Sequence, residues 1–265
     1  MTSANCQENQ CSISKCDIFD FMAKHVGLKV IHPGGLKATQ RLLDFLNLGK
    51  NANVIDIACG KGTTALYISE KYGCSVTGID ISEELVEEAR YLNKKSGLEK
   101  KVTFEVGDAL RLPFYDNQFD AAVSQAMLIL VEDKIQNIKE TNRVLKAGGR
   151  AGWLELSWRK DIDSEFLEKV SNVLCAYCMI NVETYSEWEE TFRTAGINNI
   201  STIRCKDFRG NNFDTLKDEG LINTLKIAFK TIRNSEIRDR IRLMNKFFRE
   251  YDDYFGYGIY YYSKQ

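Results

Sequence analysis

Two carboxylates and two glycines carry the first chemistry in this chain. Asp56 sits in the apolar run Asn53-Val-Ile-Asp-Ile57, Gly60 and Gly62 follow it, and Asp80 closes a second apolar run, Val76-Thr-Gly-Ile-Asp80. Glycines at that spacing let the backbone turn sharply and approach a ligand without side chains in the way. A carboxylate about 20 residues beyond the loop, at the end of a strand, can accept hydrogen bonds from ribose hydroxyls. The pattern describes a nucleotide-like cofactor held at the carboxyl edge of a parallel sheet.

The elements needed to position these groups are legible around them. Val54, Ile55 and Ile57 read as a short strand buried on both faces. Residues 63–72 read as a helix whose free N–H groups and dipole face the loop. Residues 76–80 form the next strand, and Ser82, followed by Glu83 and Glu84, is the cap of a second helix. A third strand begins at Val102 and runs into Gly107-Asp108-Ala109. Residues 118–125 read as a fourth strand, ending in Ser124-Gln125. A helix over 133–145 follows, with Lys146-Ala-Gly-Gly149 as its stop, then a fifth strand over 150–157. The glycine loop alone, Gly60-x-Gly62-x-x-Ala65, also fits the dinucleotide fingerprint of NAD-dependent oxidoreductases. Tyr67-x-x-x-Lys71 matches a dehydrogenase catalytic pair, but on the first helix, where that pair could not work.

Taken together, Asp56-x-Ala-x-Gly-x-Gly62, Gly78-Ile-Asp80, Gly107-Asp-Ala-x-x-Leu-Pro113, Phe119-Asp120 and Arg143-Val-Leu-Lys-Ala-Gly-Gly149 closely resemble a class I S-adenosylmethionine-dependent methyltransferase of the small-molecule type. The likeness covers about residues 50 to 160. It implies an α/β fold, a doubly wound, seven-stranded, mostly parallel sheet. It also implies S-adenosylmethionine as cofactor, with the loop from Asp56 through Ala58 and Gly60 to Gly62 around its methionine part. Asp80, with Ile81 next to it, would hold the ribose, and Asp108 and Ala109 would lie beside the adenine. Ser124 and Gln125 would face cofactor and substrate. Where the family usually has glycine this chain has Ala58, whose methyl reshapes the loop slightly.

Composition bounds the partners. The 265 residues carry 36 Lys and Arg against 37 Asp and Glu, a net charge of −1, so no basic field favours nucleic acid. No stretch of 18 apolar residues and no signal peptide are found, so the sequence points to a cytoplasmic protein without a membrane partner. Eight cysteines are many for such a chain. Cys6, Cys11 and Cys16 recur every five residues, and Cys175-Ala-Tyr-Cys178 is a C-x-x-C. Clustered thiols in a reducing compartment suggest metal or redox chemistry before disulfides. No zinc pattern is met, so no metal ligands are assigned and core packing is preferred for Cys175 and Cys178. Methylation of a thiol or of a cysteine-bound metalloid is a minority reading, and a non-catalytic cofactor or metal sensor is a separate class.

The remaining segments read as helical. Residues 1–48 form an N-terminal cover with a cysteine-bearing tail, broken at His32-Pro-Gly-Gly35, ahead of a methyltransferase domain over 49–265. Residues 182–196 supply a helix, 197–205 a sixth strand, and 258–263 a seventh strand forming a hairpin with it. Insertions near 159–181 and 206–257 are too long for plain loops and read as a helical lid over a small substrate, with a dimer interface as the alternative. If the acceptor must lose a proton, the candidate bases are His32, before the covering helix, and Glu155, near the carboxyl end of the fifth strand.

Overall fold

The computed structural model describes residues 17–207 and 212–265. The cysteine tail of residues 6 to 16 lies outside them. One sheet carries β1 (Asn53–Ile57), β2 (Ser75–Asp80), β3 (Val102–Val106), β4 (Phe119–Gln125), β5 (Leu145–Trp158), β7 (Ser201–Cys205) and β8 (Phe255–Ser263) in the order β3-β2-β1-β4-β5-β8-β7. Strands β1 to β5 pair in parallel, and β8 is antiparallel to both β5 and β7. A two-residue strand, β6 (Glu183–Thr184), adds an eighth, parallel to the end of β5.

Alternation along the strands divides the core. Val54, Val76, Val102 and Leu154 face one side, where they meet α2 (Gly35–Leu46), α3 (Thr63–Tyr72) and α4 (Glu83–Ser96). Ile55, Ile57, Ile79 and Trp153 face the other, against α5 (Lys134–Val144), α6 (Ser164–Leu174) and α7 (Tyr185–Thr194). Helix α2 packs so closely that a Cβ on Gly152 would lie 2.4 Å from Leu42. The Ser82 cap is the one the sequence announces, and the structure adds a second at Thr184. Ser82 accepts the Leu85 amide, and Thr184 and Glu187 form a reciprocal capping box.

The structure differs from the sequence reading at the starts of two strands. The helix before β5 ends at Val144, and the strand begins at once at Leu145. Gly148 and Gly149 therefore belong to an irregular strand start, where the pairing with β4 shifts register and a side chain on Gly149 would strike the Lys146 carbonyl at 2.8 Å. The last strand starts at Phe255, three residues early, and fills the slot between β5 and β7. The 206–257 segment contains α8 (Asn212–Arg233), broken at Gly220, and α9 (Ser235–Glu250). At the start of the described chain a single turn, α1 (Ile18–Asp20), runs into a wide π turn over Phe21–Val26.

Candidate cofactor and acceptor site

Strand order reverses at β1, which has β2 on one side and β4 on the other, so a crevice opens at their carboxyl ends. A cavity of about 540 Å³ occupies it, lined among others by Asp56, Ala58, Gly60, Asp80, Ile81, Asp108, Ala109 and Gln125. Gly60 is in the left-handed region, with open space where a Cβ would point. Its amide donates to Asp80 Oδ2 at 2.8 Å, and the Ser82 amide donates to Oδ1 at 2.9 Å. Asp80 is thereby fixed in the cavity wall, each oxygen holding one backbone amide. Asp108 Oδ1 accepts the Leu110 amide at 2.8 Å, fixing the turn after β3.

Two predicted loop and strand residues do not reach this cavity. Gly62 is absent from its wall because it serves the turn itself: a Cβ there would lie 2.3 Å from the Phe104 ring. Ser124 alternates to the other side of β4, is buried, and its hydroxyl has no partner. Its neighbour Gln125 does line the cavity. Ala58, the departure from glycine, sits at φ +57°, a strained conformation for a residue with a Cβ.

Asp56 is buried with Oδ2 unpartnered. Burial, reinforced by Asp80, pushes its carboxyl up to about 8 against the pull of the Ala65 amide. A buried acid in that state fits a cationic group brought into the crevice, which would restore its charge. The ammonium of an amino-acid-bearing cofactor is such a group. With glycine backbone at the loop and carboxylates at both strand ends, the residues present fit the implied cofactor.

A second cavity of about 570 Å³ adjoins the first and shares Phe19, Val30, Ile31, His32 and Ala126 with it. Its other walls come from every inserted segment: Ile18 and Met22 near the N-terminus, Leu174 and Met179 after β5, and Ile241, Met244, Asn245, Phe248 and Arg249 from α9. The lining is apolar except for His32, Asn245 and Arg249.

His32 lies on the shared wall but is not a free base. Its Nδ1 faces the Pro33 carbonyl at 3.3 Å, and its Nε2 faces Thr39 Oγ1 at 3.1 Å. Thr39 Oγ1 also accepts from Gln125 Nε2 at 2.9 Å, and Gln125 Oε1 accepts from the Thr64 hydroxyl at 2.7 Å. A carbonyl at one end and a donating amide at the other fix the order of protons: Thr39 donates to Nε2, and Nδ1–H donates to Pro33. Burial lowers His32 to about 4, so the ring is neutral with both nitrogens engaged. This relay ties α3, β4 and α2 across both cavities. Sequence alone gave no sign of Thr39 or Thr64, because their roles depend on the meeting of residues from separate elements.

Glu155, the other candidate base, lines neither cavity. It is 0% exposed, and its Oε1 accepts the amides of Met127 and Leu128 at 3.1 and 3.0 Å. It anchors the loop after β4. The side chain is buried against that loop, which strand position alone does not reveal. Tyr67 and Lys71 pair with each other on α3, the ammonium 5.4 Å over the ring, outside both cavities. Cys178 is half-buried, and burial followed by Asp17 pushes its thiol up to about 12, which disfavours a thiolate. Among the described residues no group of His, Cys, Asp and Glu is arranged to hold a metal, and no helix is long and apolar enough to cross a membrane.

Comparison with known proteins agrees with this geometry. Residues 54–149 match the family model for a methyltransferase domain. An uncharacterized protein of Haemophilus influenzae is 28% identical over 87% of this chain and 91% of its own length. Norajmaline N-methyltransferase of Rauvolfia serpentina is 32% identical over 58% of this chain, which spans 59% of that protein. The solved structure of Haemonchus contortus phosphoethanolamine N-methyltransferase 2 with phosphomonomethylethanolamine and S-adenosylhomocysteine superposes with a TM-score of 0.73 at 20% identity, over 96% of this chain and 60% of that one.

Proposed function

We propose that this chain, which belongs to the class I S-adenosylmethionine-dependent methyltransferases, methylates a small apolar acceptor at a neutral amine nitrogen. The carrying observation is the pair of adjoining cavities, one acidic and glycine-edged, the other apolar, with one shared wall. The cofactor supplies a methyl group already activated by its sulfonium. The chain's own residues align and shield. Asp80 takes the ribose hydroxyls, Asp108 and Ala109 flank the adenine, and Ala58, Gly60 and Asp56 hold the methionine end. Val30, Ile31 and Ala126 exclude water where the two cavities join.

The acceptor atom follows from the absence of a free base among the described residues of the acceptor wall. Its titratable side chains are His32, whose nitrogens are both committed, and Arg249. A nucleophile that presents a lone pair without prior proton removal suits such a site, and an uncharged amine does so. The relative named for N-methylation supports the same choice. The segments 17–31, 164–181 and 235–250 form the lid. A cytoplasmic location fits the free thiols of Cys59, Cys74, Cys178 and Cys205. Self-association through the lid helices is the alternative use of that surface.

The test is transfer of labelled methyl from S-adenosylmethionine into a clarified extract, separated by size and then extracted into organic solvent. Label in an extractable small amine supports the reading. Label confined to protein or RNA overturns it.

A further inference from the structure

We propose that the outer face of α8 docks this protein on an anionic lipid bilayer. After the break at Gly220 (φ 73°, ψ 160°) the helix presents Leu221, Ile222, Leu225, Phe229 and Ile232 to solvent, each between 58% and 73% exposed. Their spacing puts them on one stripe, about 17 Å long at the helical rise. Scattered surface leucines are ordinary, but a continuous apolar stripe of this size marks a contact surface. The opposite face is already committed, since Asn223 donates to the Gly27 carbonyl and Ile227 packs on the core.

The charge beside the stripe specifies the occupant. Between 221 and 233 the chain carries Lys226, Lys230 and Arg233 and no acid, although the whole protein has a net charge of −1. An open hollow of about 460 Å³ at the end of the stripe is lined by Lys24, His25, Phe229, Lys230, Arg233, Asn234 and Ile237. Lys24 pairs with exposed Asp20 at 3.3 Å, and the Arg233 guanidinium lies 5.1 Å from the Phe229 ring. No acid among the described residues pairs with Lys226, Lys230 or Arg233. Apolar side chains interleaved with unpaired cations match the boundary between acyl chains and anionic headgroups, with a headgroup phosphate in the hollow.

Two other covers fit less well. A second copy joined by a two-fold axis would set Lys226, Lys230 and Arg233 against themselves. Residues 1–16 offer Met1 and Ile13 as their only large apolar side chains. Docking on a bilayer surface is distinct from spanning it and requires no membrane helix. It also has a consequence for the site. Glu219, at the break, accepts the amides of Lys29 and Val30 at 2.9 and 3.2 Å, and Asp218 accepts that of Leu36 at 3.0 Å. The docked helix is thus tied to Val30, on the wall the two cavities share, so an apolar acceptor could enter from the bilayer.

The experiment is co-sedimentation of the full chain with phosphatidylcholine vesicles, with and without phosphatidylglycerol, at low and high salt. It reads partition and not catalysis, so it fails independently of the proposed methyl transfer. Expected is binding to the phosphatidylglycerol vesicles that high salt weakens. The exposed-site pair Leu225→Ser/Phe229→Ser should lower partition about tenfold or more, and Lys230→Glu/Arg233→Glu should abolish the preference for anionic lipid. Thermal unfolding checks that both variants fold. No partition on either vesicle, equal partition on both, or partition unchanged in the variants overturns the proposal. So does a dimer in light scattering that Leu225→Ser/Phe229→Ser dissolves, since the stripe then belongs to a second copy.

Discussion

Replacing Glu155 by Gln should remove a pH dependence from the stability of this protein while leaving methyl transfer in place. The carboxyl is fully buried, with two backbone amides on Oε1 and nothing on Oε2. Burial pushes it from 4.5 to about 8, against the pull of the Leu128 and Met127 amides. The folded chain therefore keeps this proton up to about pH 8, whereas the unfolded chain releases it near 4.5. Folding takes up a proton in that window, so the contribution is complete below the lower value and is lost as pH rises through the upper one. Between pH 6 and pH 8 two units separate the states, and each unit is worth about 1.4 kcal/mol. From pH 6 to pH 9 the wild type should lose about 3 kcal/mol more than Glu155→Gln, whose amide still accepts from Met127 and Leu128 but does not ionise. Asp56 titrates with the same sign in both proteins and cancels in the difference. Urea unfolding of the two proteins at pH 6, 7.5 and 9 measures this. Parallel stability curves would refute the assignment of a buried, proton-holding Glu155. A large fall in turnover for the folded variant would instead return Glu155 to the chemistry.

Three further outcomes are expected. Asp80→Asn keeps the side-chain shape but loses the charge proposed to meet the ribose hydroxyls, so S-adenosylhomocysteine affinity by calorimetry should fall about 10- to 100-fold, the worth of a hydrogen bond to a charged group. Thr39→Val orphans both His32 Nε2 and Gln125 Nε2; a loss of about 1–3 kcal/mol in unfolding free energy is expected, together with slower methyl transfer. Ala58→Gly relieves a left-handed alanine, worth about 1–2 kcal/mol, against roughly 0.5–1 kcal/mol of added backbone entropy. A slightly raised Tm with unchanged S-adenosylhomocysteine affinity should result, and a lowered Tm would show that the Ala58 methyl contributes packing that outweighs its strain.

The sequence by itself determined which elements form the glycine-edged cavity. Asp56, Gly60, Asp80 and Asp108 are local signals: each sits at a strand end or a turn whose boundaries its own neighbours specify, so position along the chain fixes position at the sheet edge. The same locality gave α3, and α4 with its Ser82 cap. Tertiary structure decided the rest. Whether a strand-end residue faces the crevice or the core turns on the register and on which neighbour covers it, and that separated Gln125 from Ser124 and removed Glu155 from the acceptor wall. His32 is a base or a relay member only according to what stands opposite its nitrogens, and those partners, Pro33 and Thr39, are supplied by the turn before α2 and by α2 itself. The proposed acceptor cavity is the least local feature of all. Its walls come from residues as far apart as Ile18 and Arg249, and apolar spacing along each segment announces a buried face without saying against what that face is buried.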